Sequence, residues 1–379
     1  MSELLASVPF AIQATGALVG IAGALLGTFL VLRGDAMTTD AISHSILLGI
    51  VLVWMATGLT SGPLQIAGAA LAGLATVLLV QLLVRTGRMK DDAAIGLVFP
   101  ALFSVGVLLL NVYARDVHID AHTVLLGEIG FVWLDTVPVA GFEVPRALLW
   151  MALVALVDAA FVAAFYKELK LATFDPALAA ALGFAPAALG LALLGLTSAT
   201  AVAAFDAVGV VLFLAFVIVP PSAAYLLTDA LWRVLAYACG IAVASSVLGY
   251  AAAVRLDVSI GGSMALATGA FLAIALAFGP RHGLIARAIR RRGRRSSNEN
   301  RALCVHLHHH EDDAEAEVEN AVQALRAHLR WSDAHARAVV ARSLDAGLIR
   351  RQSDRLLLTA KGRATAREIV APGEADGTE

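Results

Sequence analysis

The chain has 379 residues, 59% of them hydrophobic and 15% charged, where a soluble globular protein carries about 25% charged residues. The formal net charge of −2 discriminates little, but the composition excludes an ordinary soluble globular chain. Long apolar runs fill residues 11–280 and the remainder is polar, the pattern of a polytopic membrane protein with a soluble tail.

The N-terminus, MSELLASVPF, has no Lys or Arg and no clear small-residue cleavage site, so no cleaved signal peptide is expected. About nine spans follow, near 11–32, 35–57, 64–84, 93–112, 148–166, 187–204, 207–228, 232–253 and 259–280. Positive charge collects after the odd spans: Arg33, then Arg85, Arg88 and Lys90, then Lys167 and Lys170, then Arg233, then Arg281, Arg287 and the run Arg290 to Arg295. The positive-inside rule then puts the N-terminus outside and the tail in the cytoplasm. The external loop 113–147 contains an apolar stretch, TVLLGEIGFVWL, which reads as a re-entrant or interfacial helix. The internal loop 167–186 contains Asp175-Pro176, an N-cap followed by a first-turn proline, and a short helix that stops at Gly183. That short helix is a docking place for a soluble partner.

After the spans, Arg290 to Arg295 with Ser296-Ser297 reads as a basic linker against the membrane surface. Helical patterning is predicted at 314–330 and 332–346, with Gly347 stopping the second helix. A hairpin turning at Ser353-Asp354 and a helix over 360–370 complete a winged helix-turn-helix. The predicted fold is therefore an all-α polytopic membrane protein of about nine helices with a small cytoplasmic α+β winged-helix domain. The expected divisions are 1–285 membrane domain, 286–300 linker, 301–370 winged helix and 371–379 disordered tail.

Several constellations carry chemistry. Asp40 and His44 stand at i and i+4 in an apolar segment, on one face of a helix. A carboxylate and an imidazole are common ligands of a transition metal. With a helix starting near Gly34, His44 lies roughly 15 Å along it, where an ionisable group is costly. The alternative is a polar pair joining helices, which Thr38, Thr39, Ser43 and Ser45 would also suit. His118, Asp120 and His122 alternate in the external loop, as an entry site for a cation or as solvated loop residues. His306, His308, His309 and His310 precede Glu311-Asp312-Asp313, as a regulatory metal site or as the start of a helix with imidazoles in solvent. Asp158 and Asp206 lie in or beside spans and would serve as relay groups if transport were proton-coupled. Cys239 and Cys304 are far apart and suggest neither a disulfide framework nor a thiolate site. No Gly-Lys dipeptide occurs, so the chain has no phosphate-cradling loop of the G-x-x-x-x-G-K-[ST] kind. Any ATPase must be another chain.

Seven stretches in order resemble the membrane permease of ATP-binding-cassette importers for manganese, zinc or iron, over nearly all of residues 11–285. They are TDAISHSILLG, VLLGEIGFVWLD, FEVPRALLW, YKELKLATFDPALAAALGF, AAFDAVGVVLFLAFVIVPPSAAYLLT, LDVSIGGSMA and GPRHGLI. The resemblance implies that Asp40 and His44 coordinate the ion in the translocation path. It implies that Phe174, Asp175 and Pro176, with the helix ending at Gly183, form the coupling helix seated in an ATPase subunit. It further implies delivery by an extracytoplasmic metal-binding protein and pairing with a second copy or a related permease. The cargo is a divalent metal ion, with no permanently bound cofactor and no catalysis by this chain. Residues 301–370 resemble the DNA-binding domain of iron-dependent repressors, in SLDAGLI and LLLTAKGRATA. From 301 to 379 there are 11 Lys or Arg and 13 Asp or Glu, a net −2. A DNA-binding face needs a basic footprint, and only Arg337, Arg342, Arg350 and Arg351 supply one locally. The balance argues for regulation or dimerisation and against DNA, with two alternatives open: a proton-coupled metal transporter, or a membrane-bound metal sensor with a DNA-binding tail.

Overall fold

The computed structural model describes residues 7–59, 63–113, 128–139, 142–280, 283–311, 320–321, 325, 328–352 and 355–370. They fall in two compact units, Met1–Gly283 and Leu284–Glu379.

The first unit is helical. Helices α1 (Val8–Arg33) and α2 (Ala36–Thr57) are joined by a tight turn in which Gly34 takes φ 81° and returns its N–H to the Leu30 and Val31 carbonyls. Next come α3 (Pro63–Arg85) and α4 (Asp91–Tyr113), the latter opening on Asp91 and Asp92, whose charge suits the positive end of the helix dipole. A 3-10 turn (Ile129–Phe131) and an antiparallel hairpin, β1 (Thr136–Val139) with β2 (Phe142–Pro145), lead into α5 (Arg146–Ala164). Two short helices follow, α6 (Tyr166–Phe174) and α7 (Pro176–Ala181). The last three are α8 (Pro186–Leu227), α9 (Leu231–Leu256) and α10 (Ile260–Phe278).

Eight of these helices are long and apolar enough to cross a membrane. The 42-residue α8 is broken at Gly209, whose φ 76° and ψ 170° lie far from helical values. The neighbours show that the chain reverses there. Gly190 near its start abuts Arg33 at the end of α1, Val217 lies against Gly23 and Gly27, and Leu226 meets Gly279 beyond α10. Leu212, just past the break, faces Gly261 at the other end of α10, and the Phe205 and Phe213 rings stack edge-on across the break at 5.6 Å. The two arms of α8 thus match the two spans expected at 187–204 and 207–228.

The stretch TVLLGEIGFVWL lies only in part within the described residues, on the side opposite α7. In the described part of TVLLGEIGFVWL there is only the three-residue 3-10 turn, not a longer helix. Its Ile129 is buried and plugs the space beside Gly16 of α1 and Gly261 of α10.

Packing in this unit depends on small residues, because lipid-exposed helices associate by close contact and not by expelling water. A Cβ built on Gly27 would stand 1.9 Å from the Val217 carbonyl oxygen, and one on Gly49 of α2 would stand 2.3 Å from the Gly68 carbonyl oxygen of α3. Asp158 of α5 is fully buried, and its carboxylate accepts the one hydroxyl proton of Thr200 of α8, with Oδ2 at 2.9 Å and Oδ1 at 3.2 Å from the Thr200 oxygen. It pins two helices together.

In the second unit, α11 (Leu284–His309) runs through the basic segment 286–300. The linker read from the sequence is therefore helical, and the His tract closes a helix where it was expected to start one. Most of 314–330 lies outside the described residues. Of the remainder, Ala321 bridges to Arg355 and Asn320 accepts from the Leu356 N–H, so these two residues edge the hairpin where helix was predicted. Helix α12 (Asp333–Asp345) is capped by Ser332, and Gly347 at φ 66° ends its turn. Strands β3 (Ile349–Gln352) and β4 (Arg355–Leu358) pair antiparallel, and α13 (Ala360–Val370) closes the unit. Residues 353–354 and 371–379 lie outside the described residues. Leu303, Leu307, Leu325, Val339, Ile349 and Leu356 anchor this unit's own core.

Two outcomes follow from this packing. Gly27→Leu will lower the thermal stability of the detergent-solubilised chain by about 1–3 kcal/mol or more, the scale of overpacking, because the obstacle is backbone. Gly195→Leu, with nothing within 4 Å of its would-be Cβ, will leave the melting temperature nearly unchanged. In the second unit, Arg363 hydrogen-bonds Glu311 at 2.7 Å and holds its carboxyl below the ordinary range. A depressed carboxyl contributes stability that is present above its unfolded-state pKa and is lost as pH falls through the folded value. Proteolytic nicking of the tail will rise as the medium is acidified through that range, and Glu311→Gln will remove this part of the dependence.

Candidate metal site

Asp40 and His44 lie on α2, whose start at Ala36 puts His44 about 12 Å along the helix at ~1.5 Å per residue. The His44 Nε2 is 3.5 Å from the Asp40 Oδ1. Two ligands on one tetrahedral zinc at ~2.0–2.2 Å stand about 3.4 Å apart, so the two atoms already have the separation that a shared cation requires. The imidazole is held from behind by α4: Phe99 stacks on it at 5.6 Å and Phe103 meets it edge-on at 6.0 Å.

Ser43 and Ser45 bond within α2 and do not join it to other helices. The Ser43 hydroxyl donates to the Asp40 carbonyl oxygen at 2.6 Å, and Ser45 donates to the Ala41 and Ile42 carbonyls of its own helix. The helix-joining alternative for these serines is thus not what they do. Asp40 and His44 are about one-third exposed at their side chains and lie on the stripe Met37, Asp40, His44, Leu48, Leu52. Ala41, Ile42, Ser45, Ile46 and Gly49 on the other side are buried. The face of α2 that carries Asp40 and His44 is therefore only partly covered by this chain. Just before it, Arg33 Nε donates to the Asp35 carboxylate at 3.1 Å and steadies the α1–α2 turn.

The second predicted element forms as expected. The Asp175 side chain accepts from the Leu178 N–H at 2.9 Å, Pro176 occupies the first turn, and Gly183 takes φ 87°. The Gly183 and Phe184 N–H groups bond the Ala180 and Ala179 carbonyls, which is a Schellman closure. The segment exposes large apolar side chains: Phe174 at 59%, Leu178 at 46%, Leu182 at 62% and Phe184 at 40%. So much exposed apolar surface beside polar loops marks an interaction site.

Of the other candidates, His118, Asp120 and His122 lie outside the described residues. Asp206 is exposed, while Asp158 is engaged with Thr200. In the tail, His306 and His310 converge with His328, which sequence reading missed, and their ligand atoms lie within 4.8 Å of one another. His308 instead faces the Glu311 carboxylate at 3.6 Å, and His309 packs its ring against His310. Burial pushes the Cys304 thiol up to about 11, so it offers no thiolate at neutral pH. Phe99 and Phe103 were also missed. Their i, i+4 spacing on α4 was a signal, but the pairing of α2 with α4 was not readable from one sequence.

Comparison with known proteins agrees with this geometry. Residues 8–279 match the ABC 3 transport family. The chain is 43% identical over 344 residues to the zinc transport system membrane protein TroD of Treponema pallidum, covering 91% of this chain and 94% of that protein. That alignment is longer than the first unit and must run into the tail. The chain is 47% identical over 280 residues to the manganese transport system membrane protein MntD of Bacillus subtilis, covering 74% of this chain and 95% of that protein. Among solved structures it is similar to PsaBC from Streptococcus pneumoniae in complex with Fab, with a TM-score of 0.60, 25% identity, and coverage of 72% of this chain and 92% of that one. An acid–imidazole pair on a partly covered helix face, a capped apolar knob between helices and this set of relatives converge: the chain belongs to the ABC 3 transport family and is a membrane permease of a metal ABC transport system of the zinc, manganese and iron class.

Proposed function

We propose that this permease imports a divalent ion, manganese, zinc or iron, through a site built on Asp40 and His44. The observation that carries the reading is the 3.5 Å pair on the partly covered stripe of α2. Two ligands leave a transition metal short of the four or more it takes. A second copy of this chain, or a related permease, presents the equivalent stripe and completes the site. The chain crosses the cytoplasmic membrane nine times, counting the arms of α8 separately, with its N-terminus outside and its tail in the cytoplasm. An extracytoplasmic metal-binding protein supplies the ion.

The capped segment from Phe174 to Gly183 couples transport to a separate ATPase chain. Its exposed Phe174, Leu178 and Leu182, spaced four residues apart, fit a hydrophobic groove. The tail is a winged helix, supported by its order of helix, helix, hairpin and helix and by Asn320 and Ala321 edging the hairpin. Its charge balance favours regulation or dimerisation over DNA binding.

Two measurements test this reading. Asp40→Ala or His44→Ala will abolish metal uptake in cells or proteoliposomes, a loss beyond the ~10–100-fold typical of outer-shell partners of a metal ligand, while the complex still assembles. Wild-type uptake in either variant would sink the site. Leu178→Asp or Leu182→Asp will weaken co-purification of the ATPase chain by about 2 kcal/mol or more, roughly 30-fold, and leave metal binding to the permease unchanged. Undiminished co-purification would remove the coupling role.

A further inference from the structure

The tail carries a second set of metal-ligand side chains that transport through the membrane unit does not use. His306 and His310 are one helical turn apart at the end of α11, and the His310 N–H still bonds the His306 carbonyl at 3.3 Å. His328, eighteen residues further along the sequence, brings a third imidazole to the same place. The ring centroids are 4.9 Å apart for His306–His310, 5.4 Å for His306–His328 and 5.6 Å for His310–His328. All three ligand nitrogens lie within 4.8 Å of one another. In a tetrahedral zinc site with bonds of ~2.0–2.1 Å, ligand nitrogens stand about 3.3 Å apart, so side-chain rotations of an ångström or so close the set.

The surroundings suit a bound ion. His306 is 8% exposed and lies between core residues Leu303 and Leu307 on α11, which restricts its ring. His310 is partly buried and His328 exposed, so the cluster has one walled side and one open side, with a coordination position left toward solvent. Helix packing alone explains His306, but it gives no reason for two further imidazoles to converge on it from separate turns.

We propose that the tail binds one divalent ion of the zinc type on His306, His310 and His328. Three neutral nitrogen donors select zinc, cobalt, nickel or copper over manganese, which prefers oxygen. The site differs in kind from the Asp40/His44 pair, where half the donors are oxygen. The ion ties the end of α11 to the segment that leads into Ser332 and α12, so occupancy stiffens the tail in response to free metal.

The test uses the full-length chain in detergent, stripped with chelator, in an Asp40→Ala/His44→Ala background so that the membrane site does not contribute. Cobalt(II) is the probe, read by the visible ligand-field bands of a tetrahedral site and by competition with zinc. The expected result is one tetrahedral cobalt per chain, displaced by zinc and not by equimolar manganese. His328→Ala, at an exposed position that folding does not need, will lower the cobalt affinity by more than tenfold, and His310→Ala will do the same. His309→Ala will leave it unchanged. Absence of a tetrahedral cobalt spectrum, unaltered affinity in His328→Ala and His310→Ala, or an equal loss in His309→Ala would each overturn the site. Because no transport is measured, failure here is separable from failure of the membrane site.

Discussion

Inside a bilayer no water is squeezed out when two helices meet, so contact must come from closeness itself. In this protein the contact that the rest leans on is α1 against the second arm of α8. Gly27 of α1 lets the Val217 backbone approach until no side-chain carbon would fit, Gly23 lies against the Val217 side chain, and Gly20 lies against Ala242 and the Phe216 ring. The same helix carries Gly16, against Ile129 and Met264, so one face of α1 organises the 3-10 turn and α10 as well. Helix α2 inherits its position from this contact, because it leaves α1 after a two-residue turn locked by Gly34 and by the Arg33–Asp35 bond.

Where α2 is placed decides what its polar residues can do. On the buried side of the helix Ser43 and Ser45 spend their hydroxyls on carbonyls of their own helix. The partly covered side carries only one acid and one imidazole among Met37, Leu48 and Leu52. A pair backed by Phe99 and Phe103 but still partly exposed is held in shape without being sealed. A transported ion must be released as well as caught, and an incomplete set of ligands on each chain is compatible with both.

How legible this was depended on the range of the interaction. Asp40 and His44 could be paired from their spacing because a helix converts four residues into one face. Asp175, Pro176 and Gly183 were readable for the same reason, since caps are local chemistry. The spans were readable from apolar length, and the break at Gly209 from the spacing of two runs, although the torsion itself was not. What failed was non-local or composition-driven. The basic segment before the tail reads as a linker because its charges repel, yet it continues α11. Asn320 and Ala321 look helical by pattern, but the Leu356 N–H and Arg355 recruit them as a strand edge. His328 had no visible partner because His306 and His310 lie in another part of the sequence. Asp158 was unexplained by spacing because its neighbour, Thr200, comes from a helix more than forty residues away.

The reversal at Gly209 reaches beyond packing. In the proposed topology it makes the number of crossings odd, and parity alone then puts the two termini in different compartments. A chain with α8 running straight through would return its tail to the side of its N-terminus, where it would meet the incoming metal rather than the delivered metal. In that topology a single backbone torsion that only glycine takes up readily decides which pool of ions the tail is exposed to.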